Sequence, residues 1–197
     1  GILVGIYSIL GISLNLVVGY TGLLSITQAA FYGIGGYSTA ILLSNFGMNF
    51  FLSVVIGVAI RVVASLAIGY VLSRFRGDFF ALGSFGFNII IYSILLNWQD
   101  LTRGPLGIPG IVRPKIFNFV LSDNLHFLVL VVAVVALIYF ISWYIVNSSF
   151  GRVLKAIRED EDAISVFGYN TLFYKLAIFV ISAGMAAVAG SLFATYI

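Results

Sequence analysis

Long apolar runs separated by short polar stretches set the pattern of this chain. A helix needs about 20 predominantly apolar residues to cross a hydrocarbon core of about 30 Å. Six windows meet that need: 1–19, 28–46, 50–73, 79–97, 125–146 and 172–196. Within them Leu, Ile, Val, Phe and Ala follow one another without the period of two of a barrel strand. Backbone groups in lipid must bond inside their own segment, so the windows are predicted to be helices. Gly33, Gly35 and Gly36 interrupt the second window, and Gly83, Gly86 and Asn88 the fourth, which leaves a broken or re-entrant helix open at both. The expected fold class is all-α, a polytopic integral membrane bundle of about six transmembrane helices forming a single domain over 1–197.

Composition narrows the classes. Of 197 residues 61% are hydrophobic and 9% charged, whereas a soluble domain carries about 25% charged residues. The absence of Cys excludes a disulfide-stapled domain, and high hydrophobicity with a net charge of +3 excludes a disordered chain. The ten basic residues are scattered, so the sequence pI of about 9.2 reports membrane topology and no nucleic-acid partner is expected. A single His, His126 at a window edge, offers no metal-ligand set, and neither metal nor other cofactor is expected. Residues 1–19 lack the charged region of a signal peptide. The chain opens at Gly1 and closes inside an apolar run at Ile197, and is read as a piece of a longer protein.

Lys and Arg set the orientation. Arg74, Arg76, Arg152, Lys155, Arg158 and Lys175 fall on one side by loop parity, against Arg103, Arg113 and Lys115 on the other. The richer side is expected to be cytoplasmic, which places 147–171 inside and the loop 98–124 outside. Pro105, Pro109 and Pro114 alternate with Gly104, Gly107 and Gly110 in that loop, a composition that fixes turns and predicts an ordered external cap.

Polar groups inside spans must find a protein partner or line a wet cavity. Ser8, Gly11, Asn15 and Gly19 share one face of the first window, and Ser84, Asn88 and Tyr92 one face of the fourth, while Gln28 opens the second. Helix–helix contacts account for such residues as readily as a solute path does. On polarity alone Asn15, Gln28, Ser84 and Asn88 are the candidates for lining a path. Ser182, Ala186 and Gly190, with Ala183 and Ala187 beside them, have the small-xxx-small spacing of close helix packing. Arg61 stands eleven residues into its window, about 16 Å from the nearer end, beyond easy snorkelling. No carboxylate lies in any window to pair with it, and an Arg at mid-membrane costs about 2.5–3.5 kcal/mol on insertion scales. A hydrogen-bonding role in a wet interior is expected, and Arg61 joins the candidates for the path.

Charge is concentrated in 151–168, where Arg152, Lys155, Arg158, Glu159, Asp160, Glu161 and Asp162 lie together. Val153, Leu154, Ile157, Ile164 and Phe167 form an apolar face, so one or two short amphipathic helices ending at Gly168 are predicted. Four consecutive acids would be repelled by anionic lipid, and a protein groove suits this segment better than a headgroup layer.

This segment resembles the cytoplasmic coupling segment of permease subunits in branched-chain amino-acid ABC transporters. The resemblance runs through nearly the whole chain, in order: Leu14-Asn15-Leu16-Val17-Val18-Gly19-Tyr20-Thr21-Gly22, Gln28-Ala29-Ala30-Phe31-Tyr32-Gly33-Ile34-Gly35-Gly36-Tyr37, Arg76-Gly77-Asp78-Phe79-Phe80-Ala81-Leu82, Gly104-Pro105-Leu106-Gly107-Ile108-Pro109-Gly110, Phe150-Gly151-Arg152, Ala156-Ile157-Arg158-Glu159-Asp160-Glu161 and Tyr174-Lys175-Leu176. Asp162-Ala163-Ile164 followed by Gly168 is similar, in degenerate form, to the acidic–Ala–Ala–xxx–Gly element by which ABC importer permeases meet their ATPases. Arg61 departs from the family, where a small or apolar residue is expected.

The resemblance implies a multi-pass cell-membrane protein, bacterial or archaeal, that is a transport subunit rather than an enzyme. It implies import of branched-chain or other hydrophobic amino acids with a second permease subunit, cytosolic ATP-binding subunits and an extracytoplasmic solute-binding protein. ATPase coupling falls to 151–168, carried by Arg152, Lys155, Arg158, Glu159, Asp160, Glu161, Asp162, Ala163 and Gly168. The chain has no Gly-xxxx-Gly-Lys-Ser/Thr loop, so ATP binding belongs to a partner. The competing reading is an ion-coupled carrier or channel for a small polar solute such as urea, which requires ionisable coupling groups in the membrane.

Overall fold

The computed structural model describes residues 1–46, 49–75, 77–104, 107–108, 115–116, 119–120 and 124–196. Along the chain run α1 (Ile2–Thr21), α2 (Gln28–Phe46), α3 (Phe50–Leu72), α4 (Asp78–Asn97), the short α5 (Gln99–Thr102), the strands β1 (Lys115–Ile116) and β2 (Phe119–Val120), α6 (Asn124–Asn147), α7 (Ser149–Glu159), α8 (Glu161–Val166) and α9 (Thr171–Tyr196). The two strands pair antiparallel, Lys115 opposite Val120 and Ile116 opposite Phe119. Apart from this two-residue strand pair, the regular structure of the described residues is helical, and the protein is a polytopic helical membrane bundle.

The six long helices fall on the six apolar windows, because burying about 20 apolar residues in lipid dictates both helix and length. Five of them are long and apolar enough to cross a membrane: Ile2–Thr21, Leu52–Leu72, Phe79–Asn97, Asn124–Asn147 and Thr171–Tyr196. The sixth, α2, is diluted by Gln28, its glycines and Ser38 and Thr39, and it lies enclosed between neighbours with most of its residues buried or half-buried. A polar helix avoids lipid by packing in protein.

Neither α2 nor α4 is broken; both run on as continuous helix through their glycines. In α2 the glycines serve contact instead. A Cβ on Gly35 would stand 2.8 Å from the carbonyl oxygen of Ala187, and one on Gly36 would stand 3.4 Å from that of Gly190. The seam between α2 and α9 therefore rests on the small residues of both, and the spacing of Ser182, Ala186 and Gly190 acts in packing as expected; Ser182, Ala183, Ala186 and Ala187 are fully buried.

Helix α9 is the axis of the bundle. In its most apolar 18-residue stretch 61% of residues are buried, against 17% in that of α6 and 11% in that of α4, whose other faces are left for lipid or for other protein. On one side of α9, Ile178, Met185 and Leu192 pack with Ile2, Ile6, Ile9 and Leu16 of α1 and with Phe127, Val131 and Ile138 of α6. On the other, Phe179, Ala183 and Ala186 meet Phe31, Ile68, Leu72 and Phe80, with Phe179 edge-on to Phe31 at 5.4 Å and to Phe80 at 6.5 Å between ring centres.

The small and polar stripe of α1 faces out of this bundle. Ser8, Gly11 and Asn15 are exposed, while Ile2, Ile6, Ile9, Ser13, Leu16 and Val17 form the buried face. Pro105, Leu106, Pro109, Gly110, Arg113 and Pro114, which carry most of the expected cap, and Arg76 lie outside the described residues. The start of that connection is a folded turn: the Thr102 hydroxyl shares its one proton between the carbonyl oxygens of Leu95 and Trp98, at 2.6 and 2.8 Å, and accepts from the Gly104 amide at 3.2 Å.

Candidate functional site

Among the described residues, two separate polar clusters inside the bundle hang on α9. In the first, the Gln28 side-chain amide donates to the Ser182 hydroxyl at 2.6 Å, and that hydroxyl donates to the Ser13 carbonyl oxygen at 2.6 Å, tying α2, α9 and α1 together. Gln28 and Tyr32, one turn apart on α2, also line a cavity of about 320 Å³ with Tyr7, Leu10, Gly11 and Leu14 of α1 and with Ala29.

The second cluster surrounds Arg61. Its guanidinium is fully buried, and one nitrogen, Nη2, donates to the Ser38 hydroxyl at 3.2 Å and toward that of Ser191 at 3.5 Å. Thr39 and Ser191 share a further hydroxyl pair at 2.7 Å. Gly35 and Gly57 make room, since a Cβ on either would come within 2.7 and 3.5 Å of Nη2. Nε and Nη1 have no hydrogen-bond partner among the described residues. The partners of Arg61 are thus serine hydroxyls on α2 and α9. Ser182 and Ser191 are nine residues apart on α9, so about 13 Å separates the two clusters along the helix.

The five path candidates do not converge. Gln28 alone of them lines the cavity. Ser84 is buried and braces the α1–α2 connection, accepting from the Ile26 amide at 3.0 Å and donating to the Ala81 carbonyl oxygen at 2.8 Å. Asn88 is half-buried on α4, and Asn15 is exposed on α1 beside Gly19. Tyr32, Ser38, Thr39 and Ser191 escape a sequence reading. The available signal was that Ser191 follows Gly190 in the small-residue stripe and that Ser38 and Thr39 follow the α2 glycines.

Segment 149–168 forms two helices held firmly by the bundle. Ser148 caps α7, accepting from the Gly151 amide at 3.3 Å, and Asp160 caps α8, accepting from the Ala163 amide at 2.9 Å. Gly151, Leu154 and Ile157 bury the inner face of α7. Arg158 donates to the Gly19 carbonyl oxygen at 2.6 Å, satisfying one of the open acceptors at the end of α1, and the Lys155 ammonium lies 5.5 Å from the centre of the Tyr20 ring. These contacts place the α1–α2 connection and the α7–α8 segment on the same side of the bundle. Glu161 pairs with buried Lys175 and accepts from the Thr171 hydroxyl at 3.1 Å, which fastens α8 to the start of α9.

Gly168 ends the segment in the left-handed region, φ +86°, with its amide donating to the Ser165 carbonyl oxygen at 3.0 Å. Arg152 donates to the Ser149 hydroxyl at 2.7 Å, and Arg152, Glu159, Asp162 and Ala163 stand on the exposed surface. Phe167 departs from the expected apolar face. It is 78% exposed and Val166 85% exposed, because the break between α7 and α8 at Asp160 resets the helical phase and turns both outward.

The tie between α8 and α9 carries an expectation. Replacing Glu161 with Ala leaves the Lys175 ammonium buried without its carboxylate, a loss of about 1.5–3 kcal/mol for a charge-assisted hydrogen bond. Thermal unfolding in detergent should show a lower midpoint for Glu161→Ala, while the exposed Glu159→Ala stays within about 0.5 kcal/mol of the parent.

These features define a multi-pass membrane protein with a buried polar interior and a surface helix pair braced against it. The chain belongs to the permease component family of branched-chain amino acid transport systems, whose family model matches residues 2–197. It is 35% identical over 212 residues to the high-affinity branched-chain amino acid transport system permease protein LivM of Escherichia coli (strain K12), covering 96% of this chain and 50% of that one. Its counterpart in Salmonella typhimurium is 34% identical over 212 residues with the same coverage. A probable branched-chain amino acid transport permease protein LivM of Methanocaldococcus jannaschii is 26% identical over 229 residues, covering 98% of this chain and 65% of that one. The chain spans about half the length of the two bacterial relatives. No solved structure matches it.

Proposed function

We propose that this chain forms part of the membrane path of an ATP-driven importer for branched-chain or other hydrophobic amino acids, coupled to cytosolic ATPases through 151–168. The observation that carries this reading is the mechanical arrangement of α7 and α8. Arg158 grips the end of α1, Glu161 grips the start of α9, and between these anchors Val166 and Phe167 present apolar side chains to the outside next to four acidic residues. A force applied to that surface is delivered to α1 and α9, the helices that flank the Gln28 cluster, and rocks them as rigid bodies. ATP hydrolysis belongs to the partner subunits, and this chain supplies the path. A second permease subunit and an extracytoplasmic solute-binding protein complete the importer, with 98–124 on the external side.

The test is uptake of L-leucine into proteoliposomes holding the full-length permease pair, its ATPases and its binding protein. Uptake should require ATP. Replacing Val166 and Phe167 together with Ser should reduce it tenfold or more with no change in thermal unfolding, because neither side chain packs inside the chain. Uptake driven by an ion gradient without ATPases would instead support an ion-coupled carrier, and would overturn the proposal.

A further inference from the structure

We infer that Arg61 is an electrostatic barrier to cations in the membrane path, acting through its field on solutes that never touch it. This rests on the proposed import function and assigns a specificity role within it. The guanidinium is fully buried where α2, α3 and α9 meet, and among the described residues its hydrogen bonds run from Nη2 to the neutral hydroxyls of Ser38 and Ser191. Hydroxyls solvate a cation but do not neutralise it. No Asp or Glu occurs in α1, α2, α3, α6 or α9, and the one acid of α4, Asp78, is its first residue. The other basic residue within a long helix, Lys175, is paired with Glu161 and lies sixteen residues, about 24 Å, along α9 from Ser191. The membrane interior of this chain thus carries one positive charge and no negative one. The fold is built around that charge, since a Cβ on Gly35 would stand 2.8 Å from the guanidinium carbon.

Such a charge reaches beyond its contacts because little screens it. Between two unit charges 10 Å apart, repulsion shifts an equilibrium about twofold in bulk water, but about tenfold or more at the effective dielectric constant of about 20 inside a protein. A helix is about 10–12 Å across, so a path running along α2, α3 or α9 lies within that reach of Arg61. A monovalent cation entering it meets a barrier. A neutral molecule does not, and a zwitterion passes with its carboxylate turned toward the guanidinium. An importer has to admit its solute without conducting the far more abundant cations on either side, and a fixed buried positive charge makes that distinction without narrowing the path.

The test is ion leak from proteoliposomes holding the full-length transporter with its ATPases and binding protein, with ATP present. Efflux of trapped Rb⁺ and of trapped Cl⁻ is followed for the parent and for Arg61→Met, Arg61→Gln and Arg61→Lys. Rb⁺ efflux should rise about tenfold in the two neutral variants and stay at the parent level in Arg61→Lys, which keeps the charge but not the planar fork. Cl⁻ efflux should rise in none of them. Unchanged Rb⁺ efflux in the neutral variants overturns the barrier. A joint rise of Rb⁺ and Cl⁻ overturns it as well, because a loosened bundle leaks both signs alike, and so does a rise in Arg61→Lys equal to that of the neutral forms. Should Arg61→Met fail to fold, Arg61→Gln carries the comparison, since its amide can still donate to a serine hydroxyl. Absence of ATP-driven L-leucine uptake by the parent would instead overturn the proposed function, a failure that the ion measurements do not share.

Discussion

Gly190→Ala is expected to open the seam between α2 and α9 and to lower the stability of the bundle by about 1–3 kcal/mol or more, the range for overpacking a close contact. The added methyl would overlap the carbonyl oxygen of Tyr32 and come within 3.0 Å of the Gly36 amide nitrogen. Both are backbone atoms inside a helix, so no rotamer change relieves the overlap and the helices must move apart. Separation reaches beyond the seam, because α9 also carries the hydroxyls of Ser182 and Ser191 that meet Gln28 and Arg61. Gly184→Ala, on the same helix with nothing within 4 Å of the added methyl, should be neutral or slightly stabilising through helix propensity. Thermal unfolding of the two variants in detergent checks the contrast, and equal midpoints would remove close packing as the reason for the glycine.

Arg61→Met is expected to have the opposite signature: transport reduced tenfold or more in a protein as stable as the parent. Every hydroxyl near Arg61 keeps a partner when the guanidinium goes. Ser38 still donates to the Gly35 carbonyl oxygen at 3.3 Å, Ser191 to that of Ala187 at 3.1 Å, and Thr39 still pairs with Ser191. What is lost is a buried cation with two open nitrogens, and replacing a costly buried charge with an apolar side chain of similar volume is neutral or stabilising by about 1–4 kcal/mol. A group that the fold does not need, at a depth where charge is expensive, points to a role in the proposed transport. Arg61→Lys keeps the charge but not the planar fork and should fall between. Uptake and thermal unfolding are measured on the same preparations. An unfolded Arg61→Met protein would make the residue structural, and unchanged uptake would remove it from the path.

How far the sequence reaches differs from element to element. The six long helices were legible to within two residues at each end, since apolar length in lipid sets them and neighbours matter little. The small residues of α9 were legible as packing. Their partner was not: nothing along the chain announces that Gly190 meets Tyr32 and Gly36. The glycines of α2, open to reading as a break, turned out to mark close approach. The partners of Arg61 lie 23 and 130 residues away, and periodicity carries no information on such pairs. The stripe on α1 was legible as a face, though which way it points depends on where α6 and α9 pack. Phe167 falls on the apolar face of the segment by a spacing that continues that of α7, and the cap at Asp160 breaks that phase.

By itself the sequence determined the solvent and the class: a chain with 9% charged residues and six apolar runs is a helical membrane protein, and the charge it keeps is concentrated in 151–168. The ordered motifs placed it in its family. The tertiary structure decided which polar atoms are satisfied. Hydrogen bonding is a pairing between helices distant in sequence, so only the packed bundle shows that the Ser182 proton is already committed, that Gln28 Oε1 and the Tyr32 hydroxyl are buried without a hydrogen-bond partner among the described residues, and that Arg61 is held by one nitrogen.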